Sequence, residues 1–393
     1  MKIRFILSNF YPEEIALTNR IGALLPLLAA HHQVDVIFLS KPGVPFDEDV
    51  ARKKLDGVRV NLIAVSANSY DRGRFLVRFC VESFNCLRLW LTARTHPAQL
   101  TWVSVPQLSL LPVSALFIPF SKGTSLLELR DLTWESIPFG PGLLGRCLRN
   151  VVEKVAIFSI SRFDKVVTCT EAQADFVRQH TRVPASVVRN GIALNRFDRL
   201  AGLRPKAPGS GPFTVTYVGN VGYAQNLMTL AKTARLMSGI PSLRFVIVGD
   251  GLDLTKLREF AAEARLRNLI LVGRVSWTDT IQFYEQSDVL YAQLRSDPGL
   301  DKAEPSKLFE YLASGRPIIY AGRGLGRTLA GMFEQVRLIE PEDENLLAAS
   351  VEWVRRQGYK ISKMNRAVVR SGFIREDIFA DFLRAEHLTG NDN

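Results

Sequence analysis

Cysteine and histidine are scarce in this chain of 393 residues, at four and five. Cys80, Cys86, Cys147 and Cys169 are scattered and form no C-x-x-C pair, which excludes a disulfide framework and suits a reducing compartment. His31, His32, His96, His180 and His387 are equally dispersed, so no metal site and no metal cofactor are expected. Uninterrupted apolar runs are lacking too. Met1–Ser8 places two charges before three apolar residues in a row and reads as a first strand, not a signal peptide. Residues 95–121 carry no Asp, Glu, Lys or Arg, but Pro97, Pro106, Pro112 and Pro119 interrupt them. That pattern predicts a buried strand, Leu100–Val105, and a helix, Gln107–Leu116, in place of a membrane span. Acidic residues are outnumbered, 39 against 50 Lys and Arg, for a net charge of +11. The excess sits mostly in residues 1–199, with 25 basic and 17 acidic side chains. Such a balance suits an anionic surface or partner. No nucleic-acid-binding signature accompanies it, so nucleic acid is not an expected partner.

Short Val- and Ile-rich strands alternate with helical patterns from end to end, for example Ile3–Ser8, Val34–Leu39, Thr214–Val218, Val289–Ala292 and Val336–Ile339. Apolar strands between helices mean parallel sheets covered on both faces. The Gly- and Pro-rich stretch 200–212 reads as a linker. The expected class is therefore α/β, with two doubly wound, Rossmann-like domains, residues 1–199 and 213–375, facing a central cleft. Residues 376–393 are expected to form a carboxy-terminal helix that can cross back to the first domain. Ligands of open α/β sheets bind beyond the carboxyl ends of the strands.

The sharpest segment is Glu304–Ile319, EPSKLFEYLASGRPII. Pro305 suits the first position of a helix and Gly315 its stop. Ser306, Lys307 and Glu310 then share a face. The helix start and Lys307 would favour an anion, and the carboxylate one turn on would accept bonds from sugar hydroxyls. A nucleotide diphosphate satisfies both, although a capped surface helix would show the same pattern. Three glycine turns end strands on the same edge: Gly219 with Gly222, Gly249 with Gly251, and Gly273 before Arg274. The lone Asp-x-Asp, Asp47–Asp49, reads as a solvated acidic turn in a loop.

The second half resembles the donor domain of the GT-B glycosyltransferases, specifically the retaining family-4 group. The resemblance rests on Tyr217–Gly222, Ile247–Gly251, Val272–Val275, Ser287–Leu290, Pro305–Ile319 and the Asn190–Ile192 segment with Phe197. Leu127–Ser136 and the turn with Gln225 are similar to a subgroup of bacterial aminosugar transferases, such as L-fucosaminyltransferases. The resemblance implies transfer of a sugar from a nucleotide diphosphate donor, UDP favoured, to a lipid-linked or glycan acceptor, with retention, in cell-surface polysaccharide or lipopolysaccharide synthesis. It implies a nucleotide-sugar co-substrate, ribose on Glu310, diphosphate on Ser306 and Lys307 above the Gly222 turn, and the base at the backbone of Arg274 and Val275. The family often has a glutamate where Lys302 stands, with Glu304 two residues away. Arg295, Lys302 or Lys307 would supply the positive charge that its first glycine turn usually adds. Asp131 would orient or deprotonate an acceptor hydroxyl, and Arg130 would contact an acceptor phosphate, although an Arg–Asp pair that only fixes the loop reads the same. A same-fold epimerase and a non-catalytic nucleotide-sugar-binding subunit remain alternatives.

Asn9–Glu14 would line the same cleft. Asp71–Arg94, with Arg72, Arg74, Arg78 and Arg88, and Leu143–Phe163, with Arg146, Arg149 and Lys154, combine basic and apolar residues. Either segment alone reads as an ordinary amphipathic helix packed on its sheet, but with the regional charge excess the two suit peripheral contact with anionic headgroups, on the cytoplasmic face of a membrane.

Overall fold

The computed structural model describes residues 1–12, 16–69, 75–105, 108–135, 137, 140, 142–207, 210–358 and 360–389. Glu13, Glu14, Asp71, Arg72, Arg74, Pro106, Gln107, Ser136, Pro208 and Gly209, which belong to segments singled out above, lie outside the described residues. The chain forms two compact units, Met1–Asn190 with Arg375–Asn393, and Gly191–Ile374.

The first unit contains β1 (Lys2–Leu7), α1 (Ala16–Ala29), β2 (Gln33–Ser40), α2 (Glu48–Lys54), β3 (Asn61–Ser66), α3 (Phe75–Arg94) and β4 (Leu100–Val105). It continues with α4 (Leu110–Phe117), β5 (Thr124–Leu129), α5 (Leu143–Ile160), β6 (Lys165–Thr168), α6 (Glu171–His180) and β7 (Ala185–Val187). The second unit contains α7 (Leu194–Ala201), β8 (Phe213–Val218), α8 (Met228–Leu236), β9 (Leu243–Val248), α9 (Leu254–Glu263), β10 (Leu269–Gly273), α10 (Trp277–Gln286) and β11 (Val289–Gln293). Then come α11 (Ser306–Ser314), β12 (Ile318–Ala321), α12 (Gly324–Gly331), β13 (Val336–Ile339), α13 (Glu344–Gln357) and α14 (Lys363–Gly372). The last helix, α15 (Arg375–Ala385), belongs to the first unit.

The first sheet has the order β3-β2-β1-β4-β5-β6-β7, and the second β10-β9-β8-β11-β12-β13. Every pairing is parallel. Each sheet is sandwiched between two apolar clusters, one per face, which is why its strands read as continuous apolar runs. No helix among the described residues is long and apolar enough to cross a membrane.

Two expectations change. The units divide at Asn190 and Gly191, not at 199–213. Phe197, Leu200 and Leu203 join the core of the second unit, and Lys206 pairs with Asp288 at 2.6 Å. Arg366 and Arg316 donate to the carbonyls of Leu203 and Arg204 at 2.9 and 3.0 Å. The stretch taken for a linker is thus fastened down. Asp47 is not in a loop turn but is the N-cap of α2. It accepts from the Val50 amide at 3.0 Å, with Glu48 and Asp49 in the first turn, where the helix dipole favours acids.

Candidate functional site

In the second sheet the strand order reverses between β8 and β11: the chain runs outward to β9 and β10, then returns and runs the other way. Connections leave such a pair on opposite faces and open a crevice at its carboxyl end. The Gly219–Gly222 turn and Arg295 emerge there, and α11 follows β11. Tyr311 sets the register of that helix. Its hydroxyl accepts from the Val218 amide at 2.8 Å and donates to the Val218 carbonyl at 3.2 Å, pinning α11 to the end of β8. The helix begins at Ser306, with Pro305 as the flanking cap instead of the first helical residue, and stops at Gly315, φ 70°.

Glu310 is the centre of a node that the sequence only half reveals. It is 7% exposed. Its Oε1 accepts from Arg196 at 3.0 Å, and its Oε2 accepts from Tyr284 at 3.0 Å and Lys307 at 3.2 Å. Burial pushes the carboxyl up, but Lys307, Arg196 and the hydrogen bonds from Lys307 and Tyr284 outweigh it and hold the pKa at about 2. Glu310 is therefore an anion at any physiological pH. A carboxylate offers about four acceptor positions. Three are taken, and the one left is on Oε1. Arg196 also lies over the Trp277 ring at 4.8 Å, so α7, α10 and α11 meet at this carboxylate. Arg196 and Tyr284 were not singled out from the sequence. The available signals were the position of Arg196 beside Phe197, and a tyrosine on the buried face of α10, whose hydroxyl needs a partner.

The glycine turns divide by purpose. Gly249 has φ 143°, and a Cβ there would lie 1.7 Å from the Gly219 carbonyl oxygen. This glycine lets the β9 turn stack on the β8 turn. Gly222 differs: a Cβ would meet the tip of the Asn220 side chain at 2.8 Å, a group that can swing away. Gln225 accepts from that same Asn220 amide at 3.1 Å.

Other expected donor residues are engaged differently. Arg295 pairs with Glu342 at 3.1 Å and lies over the Tyr223 ring at 4.2 Å, so its charge is already partnered. Arg274 is exposed and stands 3.5 Å from Asp250, with Val275 beside it half-buried. Lys302 and Glu304 are half-buried in the segment before α11.

In the first sheet the order reverses between β1 and β4. Arg130 and Asp131 follow β5 at the carboxyl edge. Arg130 is 9% exposed, and its Nη1 is buried without a hydrogen-bond partner. Asp131 has exposed surface, yet crowding by protein atoms raises its carboxyl above the usual range, and Arg130 only partly offsets this. Behind them Glu128 and Arg20 form a fully buried ion pair at 2.6 Å. A shallow depression of about 720 Å³, lined by Asp164, His180 and Arg182 among others, lies at the amino ends of β6 and β7, the opposite end of that sheet from Arg130 and Asp131. Among the described residues no group of three His, Cys, Asp or Glu side chains converges as metal ligands would.

Residues 203–370 match the family described as glycosyl transferases group 1. Over 98% of its length the chain is similar to several solved structures. HepE of Anabaena in complex with UDP is 15% identical, with a TM-score of 0.69, covering 98% of this chain and 100% of that one. Sucrose-phosphate synthase of Thermosynechococcus elongatus is 15% identical, with a TM-score of 0.73 and 98% coverage of both chains. The fold is GT-B. A third GT-B neighbour, the lipopolysaccharide outer core galactosyltransferase WaaB in its apo form, is 14% identical, with a TM-score of 0.63, covering 98% of this chain and 99% of that one. No curated protein matches the chain in sequence. The family match covers residues 203–370, and the likeness to solved structures shows the GT-B fold.

Proposed function

We propose that the chain transfers a sugar from a nucleotide diphosphate, UDP favoured, to a lipid-linked or glycan acceptor in cell-surface polysaccharide synthesis, with retention as the family-4 resemblance implies. The observation that carries the reading is Glu310, held ionised with one acceptor position left, one turn into a helix that starts beyond the strand-order reversal. On this reading Oε1 takes a ribose hydroxyl. The start of α11, Ser306 and Lys307, whose side chain is 37% exposed, hold the diphosphate and stabilise it as it leaves. The Gly219–Gly222 turn approaches the phosphates, with Gly249 supporting it from the β9 turn. Gln225 orders that turn, and the backbone at Arg274 and Val275 meets the base. Arg295 and Glu304 border the sugar. Asp131, with its raised pKa, is the acid–base candidate on the acceptor side, and Arg130 the anion contact there. The UDP named with HepE adds weight to UDP as the carrier.

The depth of Glu310 favours a second reading, in which it only knots α7, α10 and α11 together. Calorimetric titration with UDP, GDP and ADP separates the two. We expect UDP to bind, Lys307→Ala to weaken it about tenfold with a modest fall in Tm as Glu310 loses a partner, and Glu310→Gln to lower both affinity and Tm. If Glu310→Gln lowers Tm alone, the ribose assignment is wrong. If no nucleotide binds, the donor reading fails. Product analysis with a UDP-sugar then separates transfer or hydrolysis from epimerisation.

A further inference from the structure

We infer that the outer surface of α3, α4 and α5 rests on an anionic lipid bilayer. Helix α5 carries two apolar stripes. One, with Ala156 and Ile160, is buried against the first sheet. The other is Leu144, Leu148, Val151, Val155 and Phe158, at spacings of four, three, four and three, which puts all five on one side of the helix. They are 74, 46, 57, 45 and 60% exposed. Scattered apolar side chains on a surface are ordinary, but a stripe four turns long is not.

The neighbouring helices repeat the pattern. On α3, Val77, Phe84 and Leu91 recur every seven residues and are 45, 51 and 49% exposed. Trp90 fastens α3 to α4, donating to Ser114 at 2.9 Å and stacking on Phe117 at 5.6 Å. Leu116 on α4 and Phe120 just after it are 66 and 81% exposed. All three helices cover the same face of the sheet, so their outer stripes belong to one layer.

Charge selects the occupant. Arg146, Arg149 and Lys154 on α5 and Arg94 on α3 are exposed, and Arg162 lies over the Phe158 ring at 5.8 Å. The acids on these helices are Glu82, buried and paired with Arg78, and Glu153, half-buried, so none is fully exposed. A second copy of the chain would set like charges against each other across a two-fold axis. A bilayer of anionic headgroups complements both the charge and the apolar stripes. This inference rests on exposure and charge, not on the donor site.

The test is flotation with vesicles of phosphatidylcholine alone and of equal parts phosphatidylcholine and phosphatidylglycerol. We expect the chain to float with the second and weakly with the first, and added salt to release it. Leu148→Ser with Val151→Ser and Phe158→Ser, and separately Arg149→Glu with Lys154→Glu, should each weaken binding at least tenfold. A measurement on the unaltered stripe guards against misfolding. Cys147 is exposed on α5, and a polarity-sensitive dye on it, in a Cys80→Ser chain, should shift to the blue with anionic vesicles. No flotation with anionic vesicles, no dye shift, or binding indifferent to both sets of substitutions would overturn the inference. Concentration-dependent dimerisation abolished by the stripe substitutions would overturn it too, since a second copy would then be the occupant. Nucleotide plays no part in these measurements, so the donor reading stands or falls separately.

Discussion

Glu310 ties stability to pH in a direction set by its neighbours. Its pKa falls from the ordinary 4.5 to about 2 because Lys307, Arg196 and two hydrogen bonds outweigh burial. A carboxyl lowered by folding contributes fully above pH 4.5, and the contribution is lost as pH falls toward 2. The group should account for roughly 3 kcal/mol of that loss, on the scale of 1.36 kcal/mol per pH unit. Urea unfolding followed from pH 5 to about 2 should show a flatter profile for Glu310→Gln than for the wild type. Arg20 makes a second case. It is 1% exposed, bound to Glu128, and donates to the carbonyls of Val188 and Arg189 at 2.7 and 2.9 Å. Arg20→Met would strand a buried carboxylate and should cost about 3–5 kcal/mol in denaturant unfolding. Ser306, Lys307 and Glu310 were readable as one helix face. Arg196 and Tyr284 were not, because hydrogen bonds from other elements leave no period in a sequence.

The glycine turns make opposite predictions although they look alike as motifs. Gly249→Ala drives a Cβ into the backbone of the β8 turn, so stability and nucleotide binding should both fall, stability by several kcal/mol. Gly222→Ala meets only the end of a side chain, so Tm should hold while UDP affinity drops. Paired calorimetric melting and titration check both. The buried strand Leu100–Val105 and the half-buried edge strand Val336–Ile339 were legible to the residue, since β-branched and apolar residues bounded by polar or turn-forming ones mark sharp ends. The three-residue edge strand β7 and the short α2 were missed. Neither is long enough to build a period.

The two units exchange chain in a way composition hides. The Gly- and Pro-rich stretch looked like the boundary, yet Phe197 and Leu200 had already joined the second core. Composition reports where a backbone bends, not which core its side chains fill. At the other end, α15 buries Phe379 and Leu383 in the first unit, with Phe382 against Trp102 at 6.0 Å. Arg375 donates to the Asn190 and Asn19 carbonyls at 2.8 and 3.1 Å. Phe379→Ala should cost about 3–5 kcal/mol. Hydrogen-exchange mass spectrometry should place the loosening in β1, α1 and β4, not in the strands near it in sequence, β12 and β13. The same arrangement bears on biosynthesis. When residue 190 leaves the ribosome, the first unit still lacks the helix that closes one side of its core. Its core stays open until α15 itself, residues 375–385, has been translated after the whole of the second unit.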